Sequence, residues 1–357
     1  MNIELRSLSA QVLVITGASS GIGLVTARMA ARRGARLVLA ARSEEALKQL
    51  TAEINSGGGE ATYVSADVGR EEDVRRIADK ANERFGGFDT WVNNAGVSIY
   101  GNLLDVSIED MRRLFDTNLW GVVYGSLIAA ERLRTRGGAI INVGSTLSDR
   151  AIPVQGIYSA SKHAVKGFTD ALRMELEAEG APVSVTLIKP GAIATPYTEH
   201  AKNYMEREPT VPPPVYAPEV VAEAILHCAE NPERDMFAGG GGKAISMSGQ
   251  YAPRVTDKVM EWSMFEMQKS DEPPLRSPEE SGLYKASGDL RERGRYDGPV
   301  FERSIYTKAT IHPFVTGAII AGAGIALAAL LLPLKSNGEE EKREPRRQKQ
   351  LPASDIT

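Results

Sequence analysis

Val12-Leu-Val-Ile-Thr-Gly-Ala-Ser-Ser-Gly-Ile-Gly23 decides how this chain is read. A run of apolar residues ends at Thr16, glycines follow at positions 17, 21 and 23, and a helical pattern then continues through Arg33. A strand that breaks into such a turn and opens a helix gathers unpaired backbone N–H groups and the positive end of a helix dipole at one place, which suits phosphate groups. Gly17 would make the tight turn, Gly21 would let the backbone approach a pyrophosphate, and Gly23 would let helix and strand pack closely. Thr16, Ser19, Ser20 and Ile22 complete the candidate cradle. Glycine in an ordinary turn serves only a positive φ, so it is the placement between strand and helix that gives this pattern meaning.

Outward from this turn, strands and helices alternate. Apolar runs at 37–39, 61–65, 90–92, 139–143, 183–188 and near Met236 are separated by helical patterns near Ser43, at 71–85, within 107–134, at 158–179 and at 219–229. That rhythm predicts an α/β fold, a doubly wound parallel sheet with helices on both faces, in one domain over residues 1–250. Residues 251–312 form a charged extension, helical in pattern near its start, with an apolar stripe at Val255, Val259, Trp262 and Phe265 that would pack on the domain or serve as a lid. Residues 313–334 are strongly apolar, and 335–357 are polar and charge-dense.

The bulk properties narrow the class. A net charge of −4 spread over 357 residues, with no basic stripe, argues against nucleic acid as a partner and for a small molecule. One cysteine and four scattered histidines give neither a disulfide nor metal-ligand spacing, so no metal is expected. Where a carboxylate would hold a ribose 2′-hydroxyl at the end of the second strand, the chain has Ala40-Ala41-Arg42-Ser43. A guanidinium there favours a 2′-phosphate, hence NADP(H) over NAD(H).

Further motifs follow in order: Asp67-Val68 after the third strand, Asn93-Asn-Ala-Gly96 after the fourth, Asn118, Ser145 after the fifth, Tyr158-Ser-Ala-Ser-Lys162, and Pro190-Gly191. Over residues 8–240 the chain thereby resembles the short-chain dehydrogenase/reductase family. The resemblance implies a Rossmann-type catalytic domain acting on an alcohol or carbonyl compound. It implies Asn118, Ser145, Tyr158 and Lys162 as the catalytic four, and Asp67 with Val68 at the adenine. Asn94, Ala95 and Gly96 would shape the cleft, while Pro190, Gly191, Ile193 and Thr195 would lie toward the nicotinamide.

The chemistry also stands on its own. Hydride arriving at a carbonyl leaves negative charge on oxygen, which needs a proton and a hydrogen-bond donor. A tyrosine four residues before a lysine shares a helix face with an ammonium that would favour its phenolate, so Tyr158 can act as acid or base. Leu147, Ile152, Val154 and Ile157, with loop 192–215, would line a pocket for a hydrophobic substrate.

Residues 314–332 carry no charge over 19 positions. As a helix they would cover roughly 28 Å, near the thickness of a bilayer core. The first ten residues lack a hydrophobic centre for a secretory signal, so the expectation is a cytoplasmic catalytic domain, membrane-attached through this segment, assembled as a homo-oligomer. The basic residues after 334 leave the orientation open. A cofactor sensor or a membrane scaffold of the same fold is the alternative, and the intact catalytic four favours the enzyme.

Overall fold

Alternating side chains in the strands explain the layers. A computed structural model describes residues 3–312 and Thr316. Its main sheet runs through β1 (Val12–Thr16), β2 (Arg36–Ala41), β3 (Glu60–Ser65), β4 (Thr90–Asn93), β5 (Gly138–Val143), β6 (Val183–Pro190) and β7 (Asp235–Ala238). Neighbours stand in the order β7-β6-β5-β4-β1-β2-β3, every pair parallel. Leu13, Ile15, Leu37, Leu39, Ile141 and Ile188 point to one face and meet α1 (Gly21–Arg32), α2 (Glu44–Ser56) and α7 (Pro218–Glu230). Val12, Val14, Val38, Ala40, Trp91 and Ile140 point to the other and meet α3 (Glu71–Phe85), α5 (Gly121–Leu133) and α6 (Gly156–Ala178). A strand with period-two side chains and apolar residues at every position can only be buried on both sides, and this is the doubly wound Rossmann-type sheet expected.

The chain order reverses between β1 and β4: the chain leaves β1 into α1 on one face and leaves β4 toward α5 on the other, which opens a crevice beyond the carboxyl ends of these strands, where ligands bind in such sheets. Residues up to Ile311 form one compact unit and His312–Thr357 a second. The extension within the first unit therefore belongs to the body of the domain. Its Val300–Phe301 joins Ala192–Ile193 and Val215–Tyr216 in a small parallel sheet.

Three differences from the sequence reading have clear causes. The helical pattern within 107–134 is two helices, α4 (Ile108–Phe115) and α5, joined by a π-helical turn over Asp116–Trp120. An unanticipated helix, α8 (Gly240–Tyr251), grows from a glycine run that argues against helix by propensity; its Ser246 accepts a place in the fold by donating to Asp149 at 2.8 Å. The apolar stripe on α9 (Pro253–Met267) faces outward: Val255, Val259 and Trp262 are exposed, Trp262 by 85%, and the buried face is Thr256, Met260 and Met264, so methionines one position off the stripe fill the interior. Among the described residues no helix is long and apolar enough to cross a membrane. The candidate membrane segment 314–332 lies outside the described residues, apart from Thr316.

Candidate active site

Two cavities meet at the carboxyl end of the sheet. The first, about 180 Å³, is lined by Gly17, Ser19, Ser20, Gly21 and Ile22 of the turn, by Arg42, Asp67 and Val68, by Asn94, Ala95 and Gly96, and by Thr195. It is the cleft foreseen for a dinucleotide. Thr16 and Gly23 stand behind it. The Thr16 hydroxyl accepts from the N–H groups of Asn94 (3.0 Å) and Ala95 (3.1 Å), tying the turn to the end of β4. Gly17 has φ +69°, and a Cβ on Gly23 would lie 2.2 Å from the Gly17 carbonyl oxygen, so these two positions exclude side chains for the shape of the turn. The cradle that this leaves at the start of α1 fits a pyrophosphate.

At the other end of the cleft the expected role of Arg42 meets a complication. Its guanidinium donates to the carbonyl oxygens of Gly282 (2.5 Å) and Leu283 (3.2 Å), both in the extension. Asp67 is paired with Arg113 at 2.5 Å and accepts from the Gly69 N–H at 3.0 Å. No position in the sequence reading anticipated Gly282, Ala286, Ser287 and His200, which also line the cleft.

The second cavity, about 210 Å³, is mostly apolar and carries Ser145, Tyr158 and Lys162 on its wall, with Pro190, Gly191 and Ile193 nearby. Ile22, Asn94, Gly96, Thr195 and Tyr197 line both cavities, so the two adjoin. Tyr158 and Lys162 share a face of α6, with the ammonium 5.7 Å from the tyrosine ring centre and donating to the Val143 carbonyl at 2.8 Å. Burial brings the Lys162 pKa down to about 8, which leaves it largely charged at neutral pH. Burial also dominates at Tyr158 and raises its pKa, against the hydroxyls of Tyr197 and Ser145, which lower it. Burial thus outweighs these two hydroxyls, and the phenol is held protonated at neutral pH.

Ser145 follows β5, one residue beyond Gly144 that succeeds the strand, and caps the short turn Thr146–Ser148, accepting from the Leu147 N–H at 3.1 Å. Asn118, fully buried, lies in the π-helical turn; its side chain accepts from the Val97 N–H at 2.8 Å and donates to the Val97 carbonyl at 2.9 Å and to Ser161 at 3.2 Å. It braces the loop after β4 against α6, the helix that carries Tyr158.

Tyr197 is the nearest residue that sequence reasoning missed. Its ring packs edge-on against Tyr158 at 5.7 Å between centres, and its buried hydroxyl faces Tyr158 and Ser98 without a hydrogen bond in good geometry to either. The only sequence signal was its place two residues after Thr195. Of the expected substrate-pocket residues, Leu147 and Ile152 line the cavity, as do Val211 and Pro212 to Pro214 from the loop. Val154 packs instead with Tyr100 and Ala201, and Ile157 with Tyr158 and Leu114. Gln155, Ile245 of α8 and Met264 of α9 supply walls that the reading did not name.

A cleft beside the glycine turn that adjoins an apolar pocket with a buried tyrosine and lysine suits an oxidoreductase. Comparison with known proteins agrees: the short chain dehydrogenase family model matches residues 11–206. The oxidoreductase YxnA of Bacillus subtilis (strain 168) is 54% identical over 323 residues, 90% of each chain. A short chain dehydrogenase/reductase from Burkholderia phymatum, solved with NAD, is 27% identical with a TM-score of 0.63, covering 71% of this chain and 96% of that one. An alcohol dehydrogenase from the archaeon Thermococcus sibiricus, solved with 5-hydroxy-NADP, is 30% identical with a TM-score of 0.56, covering 64% and 94%. This chain belongs to the short-chain dehydrogenase/reductase family.

Proposed function

We propose that this protein interconverts a hydrophobic carbonyl compound and its alcohol with NADP(H), using Tyr158 as the general acid and base. The observation that carries this reading is the position of Tyr158: buried, on the wall of the apolar cavity that adjoins the dinucleotide cleft, with Ser145 and Lys162 on the same wall. Bound in the cleft, the reduced nicotinamide supplies the hydride. Ser145 donates to the substrate oxygen and polarises the carbonyl, and Tyr158 delivers its proton to that oxygen as charge develops there. The Lys162 ammonium then faces the phenolate that is left and limits its cost until the proton is replaced. Asn118 acts on this chemistry through the loop and helix that it holds together.

The preference for NADP(H) rests on Arg42 lining the adenosine end of the cleft and on the lack of a carboxylate at the end of β2, where NAD(H) enzymes place one. Arg42→Asp should weaken NADPH binding at least tenfold more than NADH binding; equal losses would remove this assignment. The hydrophobic substrate class follows from the walls made by Leu147, Ile152, Ile245 and Met264. The experiment that tests the reading as a whole is Tyr158→Phe assayed for both turnover and binding. Loss of at least a thousandfold in turnover with NADPH affinity kept within threefold is expected, and turnover near that of the parent protein rejects it.

A further inference from the structure

We propose that the extension is part of the cofactor site: residues 281–295 form a strap that closes the adenosine half of the dinucleotide cleft. This rests on the functional reading above and adds a wall that the matched family region, which ends at residue 206, does not contain.

The strap has neither helix nor strand, yet it is fastened along its length. At its start the Gly282 N–H donates to the His200 carbonyl at 2.7 Å, and Leu283 is fully buried in the same cluster as Tyr158, Ile99 and Leu114. The Leu283 carbonyl accepts from both Arg42 and Arg113, each at 3.2 Å, and the Tyr284 hydroxyl donates to Asp110 at 2.7 Å. At its far end Arg291 pairs with Glu199 at 2.8 Å, the Arg295 N–H donates to Glu199 at 2.7 Å, and Glu292 pairs with Arg28 of α1 at 2.8 Å. Between these moorings Leu290 takes φ +50°, a left-handed conformation that disfavours a leucine, so the surrounding contacts impose it. The next residue, Arg291, offers its carbonyl to the Gly21 N–H at 2.9 Å.

The strap thus crosses from Arg42, at the end of β2, to Gly21, in the phosphate turn. Those two points bracket the adenosine ribose and pyrophosphate of a nicotinamide dinucleotide. Gly282, Ala286 and Ser287 line the cleft together with Asp67 and Val68. The strap also reaches the specificity residue: two of the five N–H donors of Arg42 are turned to strap carbonyls, which orients the guanidinium for a ribose substituent. A cofactor with a 2′-phosphate is therefore read jointly by Arg42 and by the strap, and its exchange requires the strap to lift.

Two changes in the full-length protein separate these roles. Arg291→Ala with Glu292→Ala removes two of the three far moorings and leaves the Arg295 N–H on Glu199, and Ser287→Asp places a carboxylate on the wall. Stopped-flow release of NADPH and titration with NADPH, 2′,5′-ADP and nicotinamide mononucleotide provide the readouts, with far-UV circular dichroism and thermal melting to show that each variant is folded. The first variant should release NADPH at least tenfold faster and weaken 2′,5′-ADP by a similar factor while leaving nicotinamide mononucleotide unchanged. Ser287→Asp should weaken 2′,5′-ADP at least tenfold without altering the moorings. Unchanged affinity and release in both variants, or tighter binding once the strap is loosened, overturns the proposal. A parent protein that binds neither NADPH nor NADH would reject the functional reading itself, whereas normal binding that ignores both changes rejects the strap alone.

Discussion

Lys162 places a positive charge in a largely desolvated place, and burial lowers its pKa to about 8. The free side chain titrates near 10.5, so between about pH 8 and 10.5 the unfolded chain binds more protons than the folded one. The destabilisation is complete below pH 8 and fades as pH rises toward 10.5. Lys162→Met should therefore abolish turnover yet raise stability at pH 7 by on the order of 1 kcal/mol, a gain that shrinks by pH 10. Thermal melts across that range test both the size and the sign. Carbonyl reduction should also fall as pH rises through about 8, where the ammonium is lost. Tyr197 bears on the same chemistry from the other side of the phenol. The ionisable groups facing Tyr158 are Lys162 on its own helix, Tyr197, and Tyr100. Of the neighbouring hydroxyls, Tyr197 and Ser145 lower its pKa. Tyr197→Phe should raise the pKa governing alcohol oxidation, read from a pH profile of kcat; an unmoved profile would make Tyr197 a packing residue only.

Single elements succeed or fail as sequence signals according to how local their causes are. The helix over Glu71–Phe85 is legible because three acidic residues open it, an apolar stripe at Val74, Ile77, Ala78 and Ala81 runs through it, and Gly86 closes it in a left-handed conformation. The π-helical turn at Asp116–Trp120 is not legible, because nothing in its composition differs from the helices on either side. It is nonetheless what carries Asn118, whose three hydrogen bonds are all to residues distant in sequence. Asn118→Ala would leave the Val97 N–H and carbonyl without their partner in a buried place, at a cost of about 1–3 kcal/mol. The expected result is a drop of several degrees in melting temperature together with reduced turnover; loss of turnover at unchanged stability would argue that Asn118 acts directly on protons. On α9 the stripe of Val255, Val259 and Trp262 misled for a related reason. Periodicity locates a face, but only the partner decides whether that face or the methionines beside it turn inward.

At the scale of the whole molecule the chain divides at Ile311. Thr307 of the last helix in the first unit, Ile305–Ile311, is buried and accepts from the Gly239 N–H at 3.1 Å, so this unit is closed before the apolar run begins. A chain ending at Ile311 should keep its NADPH affinity and turnover within about twofold. If the run at 314–332 attaches the protein to a bilayer, sedimentation with membranes should require it: the full chain should pellet and need detergent, and the shortened chain should not. Both remaining in the supernatant would end that reading.

The sheet, its helices, the glycine turn and the spacing of Ser145, Tyr158 and Lys162 were all readable from the chain alone, because each depends on residues close in sequence or on a strict period of two or 3.6. What Arg42 touches, which side of α9 is buried, and how Tyr197 comes to face Tyr158 depended on contacts between segments up to 241 positions apart. Such contacts follow from how the domain closes on itself, and no local pattern of residues encodes them. The strap is the plainest case: a stretch of charge and glycine without periodicity, given a place only by the surface on which it lies.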